Sequence, residues 1–232
     1  MPLLVIATPI GNLEDVTLRA LNALKRADVV ACEDTRVTKR LLQRHGIEAR
    51  LTPFHEHNEV RRAGELADLA AGGGTVAIVT NAGTPAVSDP GFRLVRECIE
   101  RGVAIVPLPG ASAAVTALVA SGLPTHRYTF LGFPPRKSGA RKRLFASLSE
   151  FDGSIVLYES PVRLGATLRD AAEALGARRA CLARELTKVH EEFVRATLPE
   201  LAERYAEAKP KGECTLVIEG VTRATPRDRS PD

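Results

Sequence analysis

The sequence predicts an α/β protein with a five-stranded parallel sheet in its N-terminal half and a second α/β series after it. Three observations carry that expectation. Short, wholly apolar runs such as Leu3 to Ala7 and Val76 to Val79 alternate with stretches of helical period. Hydrophobic residues make up 44% of the 232 residues, but aromatics only 4% with no Trp, so the core must be Leu, Val, Ile and Ala. That composition suits parallel strands covered on both faces by helices. The stretch Val76 to Gly91, V-A-I-V-T-N-A-G-T-P-A-V-S-D-P-G, runs from a buried strand straight into a long loop of Gly, Pro and small polar residues.

Taken in order, Leu3 to Ala7 is a central strand. Thr8-Pro9-Ile10-Gly11-Asn12 is a turn, and Asp15 is placed to cap a helix with Val16, Leu18, Leu21 and Leu24 on its apolar side. Asp28 to Cys32 is the second strand, and Asp34 caps the helix that stops at Gly46. Ala49 to Phe54 is the third strand, and Asn58 is expected to cap a helix ended by Gly72-Gly73-Gly74. Val76 to Val79 is the fourth strand, a helix starts at Phe92, and Val103 to Val106 is the fifth strand. Five strands alternating with helices make a parallel sheet with right-handed crossovers. Pro107-Leu108-Pro109-Gly110 is a stiff break, which divides the chain into residues 1–109 and 110–221. The second series holds a helix within Ala111 to Ser121 and strands over Tyr128 to Phe133, Ser154 to Tyr158, Ala180 to Arg184 and Cys214 to Ile218. Helices are expected over Gly139 to Leu148 and Val162 to Leu175. Residues 222–232 carry almost no apolar side chains and are expected to be disordered.

The polar clusters of the first half all leave the carboxyl ends of its strands. They are Thr8 to Asn12, Glu33 to Arg36, His55 to Glu59, the loop after Val79, and Pro107 to Ser112. Ligands of open α/β sheets bind beyond those ends. On its own the Gly/Pro loop reads equally as a long βα turn; the clustering favours a ligand site. Neither G-x-G-x-x-G nor G-x-x-x-x-G-K-[ST] occurs, which disfavours tight pyrophosphate binding and leaves a nucleoside-like ligand as the better fit. His55 and His57 form H-x-H, but no further His/Cys cluster stands near, so no metal is expected. The four cysteines lie far apart without a C-x-x-C pair, which argues against zinc or a disulfide framework. The start lacks a basic segment followed by a long apolar one, and no run reaches transmembrane length, so a soluble cytoplasmic protein is expected.

A net charge of +4 fits a polyanionic partner without requiring one. Pro134 to Arg143 is more pointed: Arg136, Lys137, Arg141, Lys142 and Arg143 give five positive charges and no acid within ten residues. Cations at a helix N-terminus oppose its dipole, so helix stability does not explain them. A solvated loop and a contact to a phosphate backbone are the two readings, and the second is favoured.

The strings A-T-P-I-G-N-L-E-D, C-E-D-T-R, H-E-H-N-E, N-A-G-T-P-A-V-S-D-P-G, P-G-A-S-A and E-L-T-K-V-H-E-E occur in this order. Together they resemble the small-subunit ribosomal RNA methyltransferase I family of the tetrapyrrole methylase superfamily, over about residues 3 to 220. The resemblance implies two α/β domains, the second with a mixed sheet, and a ligand cleft between them. It implies S-adenosylmethionine as methyl donor, a cytidine ribose 2′-oxygen in the decoding region of 16S rRNA as acceptor, the 30S subunit as context, and a homodimer. By position it implies a donor pocket of Pro9, Gly83, Thr84, Pro85, Ala86, Val87, Ser112, Ala113, Tyr158 and Glu159. Asn81 departs from the Asp usual in that family, so no acid–base role is assigned to it.

A ribose hydroxyl is a poor nucleophile, so a general base helps. Glu33, His55 and Lys188 are the favoured catalytic residues, with Asp34 and Glu56 as further candidates for the base and Arg36 or Lys188 for a phosphate contact. Two rivals stand beside this expectation. A porphyrinoid methylase on the same fold would want a larger, more apolar site. A non-catalytic RNA-binding module would want aromatic platforms for bases, which the sequence does not display.

Overall fold

The structure is a computed structural model that describes residues 2–208 and 210–221; the tail expected to be disordered, 222–232, lies outside the described residues. The chain divides into two compact units, one up to Ser112 and one from Ala113.

The first unit holds β1 (Leu3–Ile6), α1 (Leu18–Arg26), β2 (Val29–Cys32), α2 (Thr35–Arg44), β3 (Leu51–Pro53), α3 (Glu59–Ala71), β4 (Val76–Val79), α4 (Phe92–Glu100) and β5 (Ile105–Leu108). The strands form one sheet in the order β3-β2-β4-β1-β5, every pair parallel. Successive side chains of a strand face opposite ways. Val29, Ala31, Val76 and Ile78 therefore pack under Leu66, Leu94 and Cys98 of α3 and α4, while Val30, Cys32, Ala77 and Val79 pack under Ala20, Leu24 and Leu42 of α1 and α2. Both faces are buried, which is why these strands read as unbroken apolar runs.

The second unit holds α5 (Ala113–Ser121), β6 (Tyr128–Phe130), α6 (Ser138–Ala146), β7 (Ser154–Glu159), α7 (Leu164–Leu175), β8 (Arg179–Arg184), β9 (Glu192–Thr197), α8 (Leu198–Arg204) and β10 (Cys214–Ile218). Its sheet has the order β6-β7-β10-β8-β9; β6 runs parallel to β7 and the other neighbours are antiparallel. Phe145, Leu164, Leu168, Leu198 and Leu201 seal one face, and α5 packs on the other.

Several local expectations are corrected. Asp15 does not cap α1: Asn12 opens a 3-10 turn over Leu13–Asp15, and the Thr17 side chain accepts the Ala20 N–H to start α1. Asn58 stands at the N-cap of α3, but its amide serves the strand before it instead. β5 lies two residues later than expected and includes Pro107. It is an edge strand, where a missing N–H costs no ladder bond. β9 and α8 were not expected at all. The four cysteines are buried thiols, and desolvation raises the Cys214 pKa to about 11. Among the described residues no helix is long and apolar enough to cross a membrane.

Candidate active site

Because the five strands of the first sheet are parallel, their carboxyl ends share one edge. The helices after β1 and β2 cover one face and those after β3 and β4 the other. The loops after β4 and after its neighbours β1 and β2 therefore part in opposite directions, and crevices open beside β4.

Between β4 and β1 the loops meet through their main chains. Thr8 N–H donates to the Gly83 carbonyl at 2.9 Å and Gly83 N–H to the Thr8 carbonyl at 3.0 Å. The Thr8 hydroxyl donates to the Thr80 carbonyl at 3.1 Å, and the Thr84 hydroxyl to the Ala111 carbonyl at 3.3 Å. Gly110 presses so closely on β1 that a Cβ there would lie 2.8 Å from Ala7 Cβ. Three loops thus converge, and they carry Pro9, Gly83, Thr84, Pro85, Ala86, Val87 and Ser112. Ala113 opens α5, and Tyr158 and Glu159 end β7, in the second unit. The Glu159 carboxylate is fully buried; it accepts from Ser160 N–H, Arg163 and the Thr167 hydroxyl, so only its main chain is available to a ligand.

The loop after β4 is strained. Ala86 has φ of 68° and Ser88 of 63°, a region that costs a residue with a side chain about 1–3 kcal/mol. Gly83 and Gly91 take φ of 84° and 141° without that cost. The result is a turn closed by Ala86 N–H donating to the Pro90 carbonyl at 3.2 Å. It offers small side chains, with no charge from Ala82 to Val87.

Between β4 and β2 lies a cavity of about 1180 Å³, lined by Glu33, Asp34, His55, Glu56, Asn81 and Gly91 among others. Asp34 caps α2 by accepting the Arg36 N–H at 2.8 Å and pairs with the Arg36 guanidinium at 2.8 Å. The Arg36 side-chain hydrogen bond is the main reason its pKa falls from 3.8 to about 2, which makes Asp34 a weak base. Asn81 Oδ1 accepts the Asp34 N–H at 3.2 Å, tying the ends of β2 and β4 together. That bond needs only an acceptor, so a neutral amide serves where the resembling family has a carboxylate. Glu56 is exposed and lies 3.6 Å from His57. Glu33 is half-buried in the cavity wall and makes no hydrogen bond or ion pair among the described residues.

His55 is held by Asn58. Asn58 Oδ1 accepts the His55 N–H at 3.0 Å, while Nδ2 donates to the Pro53 carbonyl at 3.2 Å and faces His55 Nε2 at 3.2 Å. The first two bonds fix the amide orientation, so Nε2 is the acceptor and the proton of the neutral ring sits on Nδ1, buried without a partner. In this tautomer the ring lone pair of His55 is already taken by Asn58 and is not free to accept a proton. Lys188 stands in the turn after β8, its ammonium bonded to Glu185 at 2.8 Å and Glu213 at 2.9 Å. Burial lowers its pKa, but those bonds outweigh the burial and hold it above the usual value. Lys188 therefore remains a cation.

The basic stretch divides. Arg136, Lys137 and Arg143 are exposed, and Lys142 pairs with Glu173 at 2.6 Å. Arg141 is corrected outright as a phosphate contact: its side chain is buried beside Asp170 at 2.5 Å, and it donates to the Pro135 and Arg136 carbonyls, each at 3.2 Å. The ten-residue window lacks an acid, but α7 supplies two. Among the described residues no group of three His, Cys, Asp or Glu side chains is placed to hold a metal ion.

Comparison with known proteins identifies the family and the fold. The family described as Tetrapyrrole (Corrin/Porphyrin) Methylases matches residues 2–202. The protein named ribosomal RNA small subunit methyltransferase I of Halalkalibacterium halodurans is 49% identical over 94% of this chain and 75% of its own length. Its namesake from Thermotoga maritima is 44% identical over 94% of this chain and 98% of its own length. Among solved structures, uroporphyrin-III-C-methyltransferase from Thermus thermophilus superposes with a TM-score of 0.66 at 22% identity, covering 94% of each chain. The methyltransferase CobJ gives 0.69 at 20%, covering 97% of each. The chain therefore belongs to the tetrapyrrole methylase family, in its branch of ribosomal RNA small subunit methyltransferases I.

Proposed function

We propose that the protein transfers a methyl group from S-adenosylmethionine to the 2′-oxygen of a cytidine ribose in the decoding region of 16S rRNA, acting in the cytoplasm as a homodimer on the 30S subunit. The observation that carries this reading is the contrast in identity. The relatives named for the small-subunit rRNA reach 49% along nearly the whole chain, whereas the uroporphyrin-III-C-methyltransferase and CobJ, at 22% and 20%, share only the fold.

The donor is assigned to Pro9, Gly83, Thr84, Pro85, Ala86, Val87 and Ser112 of the first unit, and to Ala113, Tyr158 and Glu159 of the second. The close approach of Gly110 to Ala7 and the neutral, strained turn at Ala86 fit a nucleoside gripped by peptide groups. When bound, the donor supplies a sulfonium methyl, an electrophile that needs no metal to activate it. The protein's part is to align the ribose oxygen and to take its proton. Glu33 is the base in this reading: it is the cavity carboxylate without a committed partner, whereas Asp34 is held by Arg36 and the ring lone pair of His55 is taken by Asn58. His55 is then a positioning residue that holds the Asn58 amide at the cavity wall, and Lys188, committed to Glu185 and Glu213, fixes the turn after β8. Arg136, Lys137, Lys142 and Arg143 serve the RNA backbone.

Glu33→Gln is expected to lower the single-turnover methylation rate by about 10²–10⁴-fold while leaving donor affinity unchanged. A loss of only a few-fold would remove Glu33 from the reaction. The function as a whole is tested by offering unmodified 30S subunits and a uroporphyrinoid in parallel with labelled donor. Label in a 2′-O-methylcytidine of 16S rRNA is the expected result; label in the macrocycle alone would overturn it.

A further inference from the structure

We propose that the loop joining β6 to α6 is a platform for single-stranded RNA, on which Phe133 carries an unpaired base and Arg136 and Lys137 take the neighbouring phosphates. This rests on the rRNA reading above and deepens it.

Phe133 is 57% exposed although it belongs to a chain poor in aromatic residues. One side of its ring leans on Tyr158, with centroids 5.6 Å apart and planes at 60°. Tyr158 is braced in turn by Phe130, edge-on at 4.8 Å. The fold thus brings Tyr158 of β7 against Phe130 and Phe133 and leaves Phe133 facing solvent. A cluster of this kind, invisible in the sequence, is the feature whose apparent absence argued against base stacking.

The loop beneath is fixed. Leu131 N–H donates to the Val156 carbonyl and Tyr158 N–H to the Gly132 carbonyl, each at 2.9 Å, so the ladder beside β7 continues up to the aromatic ring. Gly132 turns the chain with φ of 61°. Beyond it, Arg163 donates to the Pro134 carbonyl at 3.4 Å, and Arg141 to those of Pro135 and Arg136 at 3.2 Å. Both arginines are neutralised by buried carboxylates, Glu159 and Asp170. Arg136 and Lys137, by contrast, are exposed and have no ion pair among the described residues.

A rigid, outward ring beside unneutralised cations matches one partner chemistry: a polyanion with free π faces. Double-helical RNA keeps its bases stacked inside, so the occupant is unpaired. A second copy of the chain is disfavoured, because a two-fold contact here would bring these cations together.

The full chain is titrated with 16S rRNA across a salt series, comparing wild type, Phe133→Ala, Phe133→Leu, Phe133→Tyr and the double variant Arg136→Gln/Lys137→Gln. Phe133→Ala and Phe133→Leu are expected to bind on the order of ten-fold more weakly with the salt slope unchanged, and Phe133→Tyr to bind like wild type. The double variant is expected to lower the slope of log K against log salt by about 1.4. Phe133→Trp introduces the sole tryptophan of the chain, and its fluorescence is expected to be quenched by RNA. Wild-type-like binding by Phe133→Ala, unquenched Phe133→Trp, or a change in oligomeric state in place of RNA affinity would overturn the platform while leaving the rRNA reading intact. A wild-type chain that binds neither naked 16S rRNA nor the 30S subunit would overturn both.

Discussion

Asp170→Ala is expected to destabilise the second unit by about 3–5 kcal/mol, the cost of leaving a buried charge uncompensated. Arg141 and Asp170 are both nearly inaccessible, with side-chain exposures of 4% and 7%. Asp170 Oδ1 also accepts the Ser138 hydroxyl at 3.0 Å, a bond at the start of α6 that is lost with it. The pair is not ideal: Arg141 Nε has no partner, and Asp170 Oδ2 lies 2.5 Å from Arg141 Nη2 without hydrogen-bond alignment. Replacing both residues by apolar ones, Arg141→Met with Asp170→Leu, is therefore expected to restore most of the stability lost by the single change. All three tyrosines, Tyr128, Tyr158 and Tyr205, lie in the second unit, and the chain has no Trp. Tyrosine fluorescence in a urea titration reads this unit directly. A single variant within about 1 kcal/mol of wild type would show the pair to be solvated.

Gly91→Ala is expected to weaken S-adenosylmethionine binding by at least about ten-fold, equivalent to about 1.4 kcal/mol. Gly91 has φ of 141°, where a side chain is strained, and a Cβ there would meet Ala86 N and Ile78 Cδ1, each at 3.2 Å. Relief requires the Ala86 turn to shift, and that turn is the part of the loop assigned to the donor. Gly73→Ala is the matched control. Gly73 also has a positive φ, 97°, but nothing lies within 4 Å of its Cβ position, and it precedes β4 at the opposite edge of the sheet. It should lose stability by about 1 kcal/mol and keep its donor affinity. Calorimetric titration of both variants separates local geometry from general strain; equal losses in the two would count against the loop.

The first sheet was legible because its strands are buried on both faces and its helices carry clear apolar stripes. Leu24, Leu66 and Cys98 lie where the period places them. β9 escaped because it is an edge strand, Glu192-Phe193-Val194-Arg195-Ala196-Thr197, whose charged residues break the apolar run. α8 did carry a signal: Thr197-Leu198-Pro199-Glu200 forms a capping box with Pro near the first helical position. Pro107 reads as a breaker in the sequence, but β5 is an edge strand and runs through it. At the site, the convergence of polar clusters on one edge was readable from their positions after each strand. The tautomer of His55, the burial of Arg141 and the stacking of Phe130, Tyr158 and Phe133 were not. Each depends on a partner brought in by tertiary packing: the Asn58 amide turned back on β3, Asp170 from α7, and β7 beside β6.

The donor is proposed to rest against the main chain of the loop after β4. Backbone amide shifts of the full, isotope-labelled chain during titration with S-adenosylmethionine test this directly. Saturable changes are expected to be largest at Gly83, Thr84, Ala86 and Val87, with Ser112 and Ala113 moving at the same apparent affinity. Saturable changes centred elsewhere, with these amides still, would contradict it.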